Sequence, residues 1–226
     1  GVDWMFGGDD NDRLYGGTER DFMYGQDGND YMLGEDGNDY MRGGEGADSM
    51  WGQDGDDRLY GDNGNAQIVG GTGNDYLRGG NGNDNIWGST GNDSIYGDNG
   101  NDQLIGSDGD DYIRGGNGAD SLWGLNGDDR MFGDAGNDYM YGGNDDDDMN
   151  GGTGADRLYG QAGNDTLDGG YAISNYDWLY GGTGADSVVP HQKQIKPSAY
   201  YYVPMAYLMD FNSGEGDSAS YQYHTV

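Results

Sequence analysis

A unit of nine residues repeats eighteen times without a gap from Gly7 to Asp168, and nothing else limits the fold of this chain so tightly. It reads Gly, variable, variable, Gly, variable, Asp, variable, aliphatic, variable. Position 1 is Gly in all eighteen copies, and position 8 is always Met, Leu or Ile. Position 6 is Asp in seventeen, with Ala66 the exception. A short fixed period marks a stack of like coils rather than a globular core.

Each unit divides into a turn and a strand. Glycine supplies the positive φ and the close backbone approach that tight turns need, so positions 1 to 6 read as turn. Positions 7 to 9 read as a three-residue strand, whose alternation sends position 8 to one face and its neighbours to the other. The aliphatic residue then points inward. Two units make a coil of eighteen residues, with two strands facing each other across a thin core of Met, Leu and Ile. Successive coils stack at about 4.8 Å, the spacing of paired strands.

Composition makes that order conditional. Of 226 residues only 33% are apolar, 49 are Gly, and the net charge is −32. Such a balance ordinarily leaves a chain disordered, so the regular period needs something that cancels the charge. Nucleic acid is excluded as a partner, because its phosphates would be repelled. No apolar run is long enough for a membrane span, and the first residues given do not show the basic-plus-apolar pattern expected of a signal segment. Cysteine is absent, so there is no disulfide framework.

Residues 3–6 already match the end of a unit, an arrangement expected of a piece of something longer. Gly169 to Tyr180 is a twelve-residue variant that keeps the Asp177 and Leu179 ending, and Gly181 to Val189 is a last regular unit. Composition then changes. All three prolines, both lysines and both histidines lie within 190–226. The domain reading is therefore a repeat region at 1–189 and a C-terminal cap at 190–226.

Units such as Gly70-Gly71-Thr72-Gly73-Asn74-Asp75-Tyr76-Leu77-Arg78 resemble the repeat-in-toxin (RTX) family of calcium-binding nonapeptides. The resemblance covers residues 3–189. It implies an all-β fold, a right-handed parallel β-roll of about ten 18-residue coils, with Ca²⁺ along each edge and a closing C-terminal segment. It also implies a bacterial protein exported by type I machinery that reads a C-terminal signal. The stretch Asp210-Phe211-Asn212-Ser213-Gly214-Glu215-Gly216-Asp217 is similar to segments that close such rolls and overlap that signal.

The aspartates carry the chemistry. The candidate metal ligands are Asp12, Asp21, Asp30, Asp39, Asp48, Asp57, Asp75, Asp84, Asp93, Asp102, Asp111, Asp120, Asp129, Asp138, Asp147, Asp156, Asp165, Asp177 and Asp186. Alternate units fall on opposite edges, so carboxylates on one edge recur at about 4.8 Å. At that spacing two bare charges repel by roughly 1 kcal/mol in water and by several times more near a low-dielectric surface. A hard cation reverses the sign. Ca²⁺ takes six to eight oxygens in flexible geometry, and glycine turns can aim carbonyls at it. Mg²⁺ demands a stricter octahedron, and zinc or copper would want His or Cys, which the repeats lack. Cancelling −32 takes sixteen divalent ions. Ala66 should weaken the sites beside it, and Asp10, Glu19 and Asp145 should strain turns where Gly is the rule. The Asp145–Asp148 run reads as a locally solvated turn.

A longer period of 36 residues, two coils, overlies the short one. It places Trp51, Val69, Trp87, Ile105 and Trp123 in an outward file on one sheet. The other sheet carries Tyr40, Arg42, Arg58, Tyr60, Tyr76, Arg78, Tyr96, Tyr112, Arg114 and Arg130. The Trp file leaves three readings open: a relic of duplication, a contact with another protein, or stacking on a glycan. No catalytic motif is present, and the histidines have no nucleophile or base beside them.

Two functions are expected. The first is an extracellular structural roll, not an enzyme, that folds on Ca²⁺ and forms or decorates a surface layer, adhesin or filament. Its partners would be further copies of itself or a cell-surface polymer such as a glycan. The second is the calcium and export module of a secreted enzyme or toxin.

Overall fold

The computed structural model describes residues 1–171 and 177–189. They form an all-β parallel solenoid of about ten coils. Twenty-one strands run from β1 (Trp4–Asp9) to β21 (Ser187–Val189), and they alternate between two sheets. Odd-numbered strands make an eleven-stranded sheet and even-numbered strands a ten-stranded one, both in chain order. All the pairings are parallel, and in the regular part each residue faces the one eighteen positions on, as in Ile86 with Leu104. No helix among the described residues is long and apolar enough to cross a membrane. The expected cap at 190–226 lies outside the described residues, as do five residues of the twelve-residue variant.

The strands are longer than the sequence reading allowed. Most span six residues, positions 7 to 9 of one unit and 1 to 3 of the next, as in β10 (Asn85–Thr90) and β12 (Gln103–Asp108). Pairing runs through Asn85, Ile86 and Trp87, skips Gly88, and resumes at Ser89 and Thr90. Backbone pairing needs no side chain, so residues at positions 2 and 3 that look like turn residues, such as Gly71 and Thr72, still join the ladder. The bend falls at position 2. Ser89 has φ 92°, and Gln26, Asp62, Asp98 and Leu125 are left-handed at the same position. This requirement was missed because position 2 varies in sequence. The three substituted position-4 residues do adopt the left-handed φ expected of a strained turn: 91° at Asp10, 76° at Glu19 and 75° at Asp145.

Backbone donors in the turn are satisfied by neighbouring coils, in both directions. In one unit, Gly91 N–H donates to the Asp108 carbonyl of the next coil at 2.9 Å, and Ser94 N–H to the Asp75 carbonyl of the previous coil at 2.8 Å. Between them, Asn92 N–H donates back to Asn74 Oδ1 and Asp93 N–H forward to Asp111 Oδ1, each at 2.8 Å. A turn that would leave four donors without protein partners in isolation is thus paired only when coils stack.

The core holds one side chain per unit. Position-8 residues from Met23 to Leu167 are all fully buried, and both sheets contribute to a single cluster. At the ends of the described stack Met5, Leu14 and Leu179 are only partly covered. Methionine fills the flanks (Met23 to Met50, Met131 to Met149), while Leu and Ile fill the centre. Truncating a central member leaves a cavity that a two-residue-thick core has little freedom to close. Ile95→Ala is therefore expected to cost about 2–5 kcal/mol, as checked by urea unfolding in calcium.

Candidate metal centre

Position-6 aspartates collect into two files, one per edge. The first runs through Asp12, Asp30, Asp48, Ala66, Asp84, Asp102, Asp120, Asp138, Asp156 and Asp177. The second runs through Asp21, Asp39, Asp57, Asp75, Asp93, Asp111, Asp129, Asp147, Asp165 and Asp186. Except from Asp48 to Ala66, each successive pair is joined by a hydrogen bond from the earlier backbone N–H to the later Oδ1, such as Asp84 to Asp102 at 2.8 Å. The twelve-residue variant does not break the file, because Asp156 N–H reaches Asp177 Oδ1 at 3.0 Å across 21 residues.

Burial is nearly complete. Every aspartate from Asp21 to Asp165 at this position is at most 2% exposed, and Asp186 is 8% exposed. With Oδ1 committed to the neighbouring backbone, Oδ2 stands alone. In seventeen of these residues, Asp12 through Asp165, it is buried with no hydrogen-bond partner. An unpaired charged oxygen in such a place is costly, and one per unit is far beyond what a fold of this size tolerates.

The invariant position-1 glycine explains where Oδ2 points. A Cβ built on Gly88 would lie 2.1 Å from Asp93 Oδ2 and 2.8 Å from the Gly106 carbonyl oxygen of the next coil. Gly52, Gly70 and Gly160 give the same picture. The glycine is needed here for space, and the space is bordered by hard oxygens from two successive coils. No three acidic side chains among the described residues converge on one point. A cation in this setting would be held by one or two carboxylates and completed by backbone carbonyls, a donor set that suits Ca²⁺.

Burial pushes the carboxyls from Asp39 to Asp165 in these files up from 3.8. Desolvation is the main cause, and neighbouring carboxylates add to it, while the backbone N–H on Oδ1 opposes both. Asp48, Asp84 and Asp120 rise to about 6, Asp57, Asp75 and Asp93 to about 7, and Asp147 to about 8. Without a cation, burial therefore shifts these central carboxyls toward their protonated form.

Departures from the consensus change single contacts, and the Asp145–Asp148 run is not solvated throughout, because Asp147 is buried. Ala66 is buried in an aspartate's place; its N–H still donates to Asp84 Oδ1 at 2.7 Å, but it offers Asp48 no acceptor in return. In the Asp145–Asp148 run only Asp147 is buried and belongs to a file. Asp146 is exposed and takes Asn164 N–H at 2.7 Å, and Asp148 lies 3.5 Å from Arg130. A second side-chain ladder escaped the sequence reading. Position 5 is mostly Asn or Asp, and its Oδ1 accepts the position-5 N–H of the next coil, as from Asn83 to Asn65 at 2.8 Å. Its signal was the recurrence of Asn and Asp at a position treated as variable.

Fold and site together define a parallel β-solenoid with a file of buried, cation-seeking carboxylates on each edge. A family model, the RTX calcium-binding nonapeptide repeat, matches residues 6–41, 33–68, 69–104, 105–140, 141–170 and 176–189. The chain belongs to that family, whose repeats bind calcium and whose members are generally secreted by bacteria. A comparison with curated proteins gives no match.

Two outcomes are expected. Gly88→Ala drives a methyl group into the Asp93 Oδ2 space, so it should raise the calcium needed for half-maximal folding, read by circular dichroism. The pH response follows from the raised folded-state values. The roll binds more protons than the unfolded chain, so without divalent ions its stability falls as pH rises from about 4 through about 7, and returns on acidification. In chelator, β signal should therefore be greater at pH 5 than at pH 8. The calcium midpoint should rise as pH falls, because protons compete for the same oxygens.

Proposed function

We propose that this chain is an extracellular structural module that folds when calcium loads its two aspartate files, and that it forms or decorates a bacterial surface layer, adhesin or filament. One observation supports this reading most: seventeen buried Oδ2 atoms without partners, in register along both edges. With a net charge of −32 the metal-free chain repels itself, and each ion that binds only the folded coil stabilises it by mass action. The carboxylates of Asp12 through Asp186 are the proposed ligands, together with backbone carbonyls. Calcium is scarce inside cells and plentiful outside, so folding is deferred until after export.

A structural role is supported by the outward faces. Trp51, Val69, Trp87, Ile105 and Trp123 stand in register on the ten-stranded sheet. The file continues through Tyr141, Tyr159 and Tyr180, whose stacked rings are 4.9 Å apart. These residues are half-buried rather than fully exposed, because each shields the next. They still give an apolar strip running along the roll, as a lateral contact requires.

Calcium titration followed by circular dichroism is the test. A disordered chain in chelator should gain β signal steeply as calcium is added, and native-like signal without divalent ions would overturn the proposal. Asp102→Asn should shift the midpoint to higher calcium. Ala66→Asp, which completes the first file, should shift it lower.

A further inference from the structure

We propose that the outer face of the eleven-stranded sheet is a binding groove for a neutral, extended polysaccharide. One wall is a continuous zigzag of rings. Tyr40, Tyr60, Tyr76, Tyr96 and Tyr112 follow one another at centroid separations of 5.3 to 5.7 Å, tilted by 36–43°, and all are half-exposed. The opposite wall is an amide ladder at position 3. Asn81, Asn99 and Asn117 each donate Nδ2–H to the side-chain oxygen of the residue eighteen before it, at 2.6, 2.9 and 2.8 Å. Paired glycines, such as Gly79 and Gly80, form the floor between them.

Between the walls the groove is crossed by ion pairs. Arg42, Arg78 and Arg114 each fork onto the carboxylate of Asp62, Asp98 and Asp134 in the next coil, with Nη2 at 3.0, 3.2 and 2.9 Å. Two cavities of about 860 and 580 Å³ lie here and share Arg78, Asp98 and Asn99, so they are successive parts of one channel. That is the size of ligand sites, and the mixture of aromatic faces with a few fixed polar groups is their usual lining.

The occupant follows from charge and period. Each groove arginine is cancelled by its own aspartate, and the whole chain carries −32, so an anionic polymer has nothing to gain. A cationic peptide would meet guanidinium groups in its path. Neutral sugars suit the set: their C–H faces lie on rings, while hydroxyls bond to bound carboxylates, guanidinium edges and amides. The lining repeats every 36 residues, two strand spacings or about 9.6 Å, so an extended polymer with a two-sugar repeat meets the same contacts again and again. Weak subsites then add along the chain.

The experiment is affinity electrophoresis of the calcium-loaded full chain through gels containing soluble mixed-linkage β-glucan, galactomannan or polygalacturonate. Retardation by at least one neutral polymer, and none by polygalacturonate, is expected. Tyr60→Ala/Tyr96→Ala should weaken that binding by about tenfold or more. Asn99→Ala, outside the core, should weaken it less, and Trp87→Ser on the other sheet should leave it unchanged. Circular dichroism in calcium confirms that each variant is folded; should the double tyrosine variant fail, Asn99→Ala decides. Binding to polygalacturonate alone, no retardation by either neutral polymer, or loss of binding in Trp87→Ser but not in the groove variants would overturn the proposal. So would sedimentation showing that the tyrosine face binds a second copy of the chain instead. Calcium-induced folding is read separately in the same samples, so failure of the groove leaves the folding proposal standing.

Discussion

Everything in this roll depends on a repulsion that the protein builds into itself. Two files of carboxylates are buried side by side, and from Asp21 to Asp165 each aspartate has Oδ1 bonded to a neighbouring backbone N–H and Oδ2 without a hydrogen-bond partner. A polypeptide of this composition cannot offset that cost from its core, which contributes one aliphatic side chain per nine residues. The deficit has to be met by protons or by cations. Raised carboxyl pKa values are the proton half of the answer, and a donor set of carboxylate and carbonyl oxygens is the cation half. The same feature that makes the isolated chain unstable thus makes the folded one responsive.

Within the unit, each constant residue removes one particular conflict. Gly at position 1 leaves room for Oδ2, and its reason is space, since a Cβ there would meet the carboxylate at close to bonding distance. Gly at position 4 is different. At Gly100 φ is 145° and a Cβ would strike the Gly82 carbonyl oxygen, so both backbone conformation and the approach of the preceding coil demand it. Position 6 must be Asp because its short side chain turns back to cap the N–H one coil earlier while leaving its second oxygen free. A longer carboxylate would overshoot that bond.

Sequence alone made most of this legible, because a strict period converts one unit's logic into the whole. The coil of eighteen, the inward position 8 and the two aspartate files were all readable from spacing. Strand length was not. Ser89 and Thr90 look like turn residues, yet β10 runs through them, since parallel backbones in register pair whatever side chains they carry. Position 5 escaped notice for a related reason: its Asn and Asp side-chain oxygens accept backbone N–H groups of the next coil, a role visible only when coils are stacked. The file around Trp87 was correctly placed on one face, but alternation does not report how far neighbours cover each other, and those rings are half-buried.

The direction of the turn bonds bears on how the roll holds together. Position-6 amides donate forward along the chain and position-5 amides donate backward, so each coil is tied to both neighbours by independent bonds on each edge. A defect in one ladder therefore does not cut the stack. Ala66 removes one forward bond of the first file, the one Asp48 N–H would donate, but Ala66 N–H still reaches Asp84 Oδ1 and Asp57 N–H reaches Asp75 Oδ1 at 2.8 Å on the opposite edge. The core file also passes unbroken through Leu59, Ile68 and Leu77 at the same level. Energetically the roll behaves as a line of nearest-neighbour couplings. Along such a line one missing carboxylate lowers a single coupling and leaves the rest intact, which is why the repeat tolerates an alanine where a globular site would lose its metal.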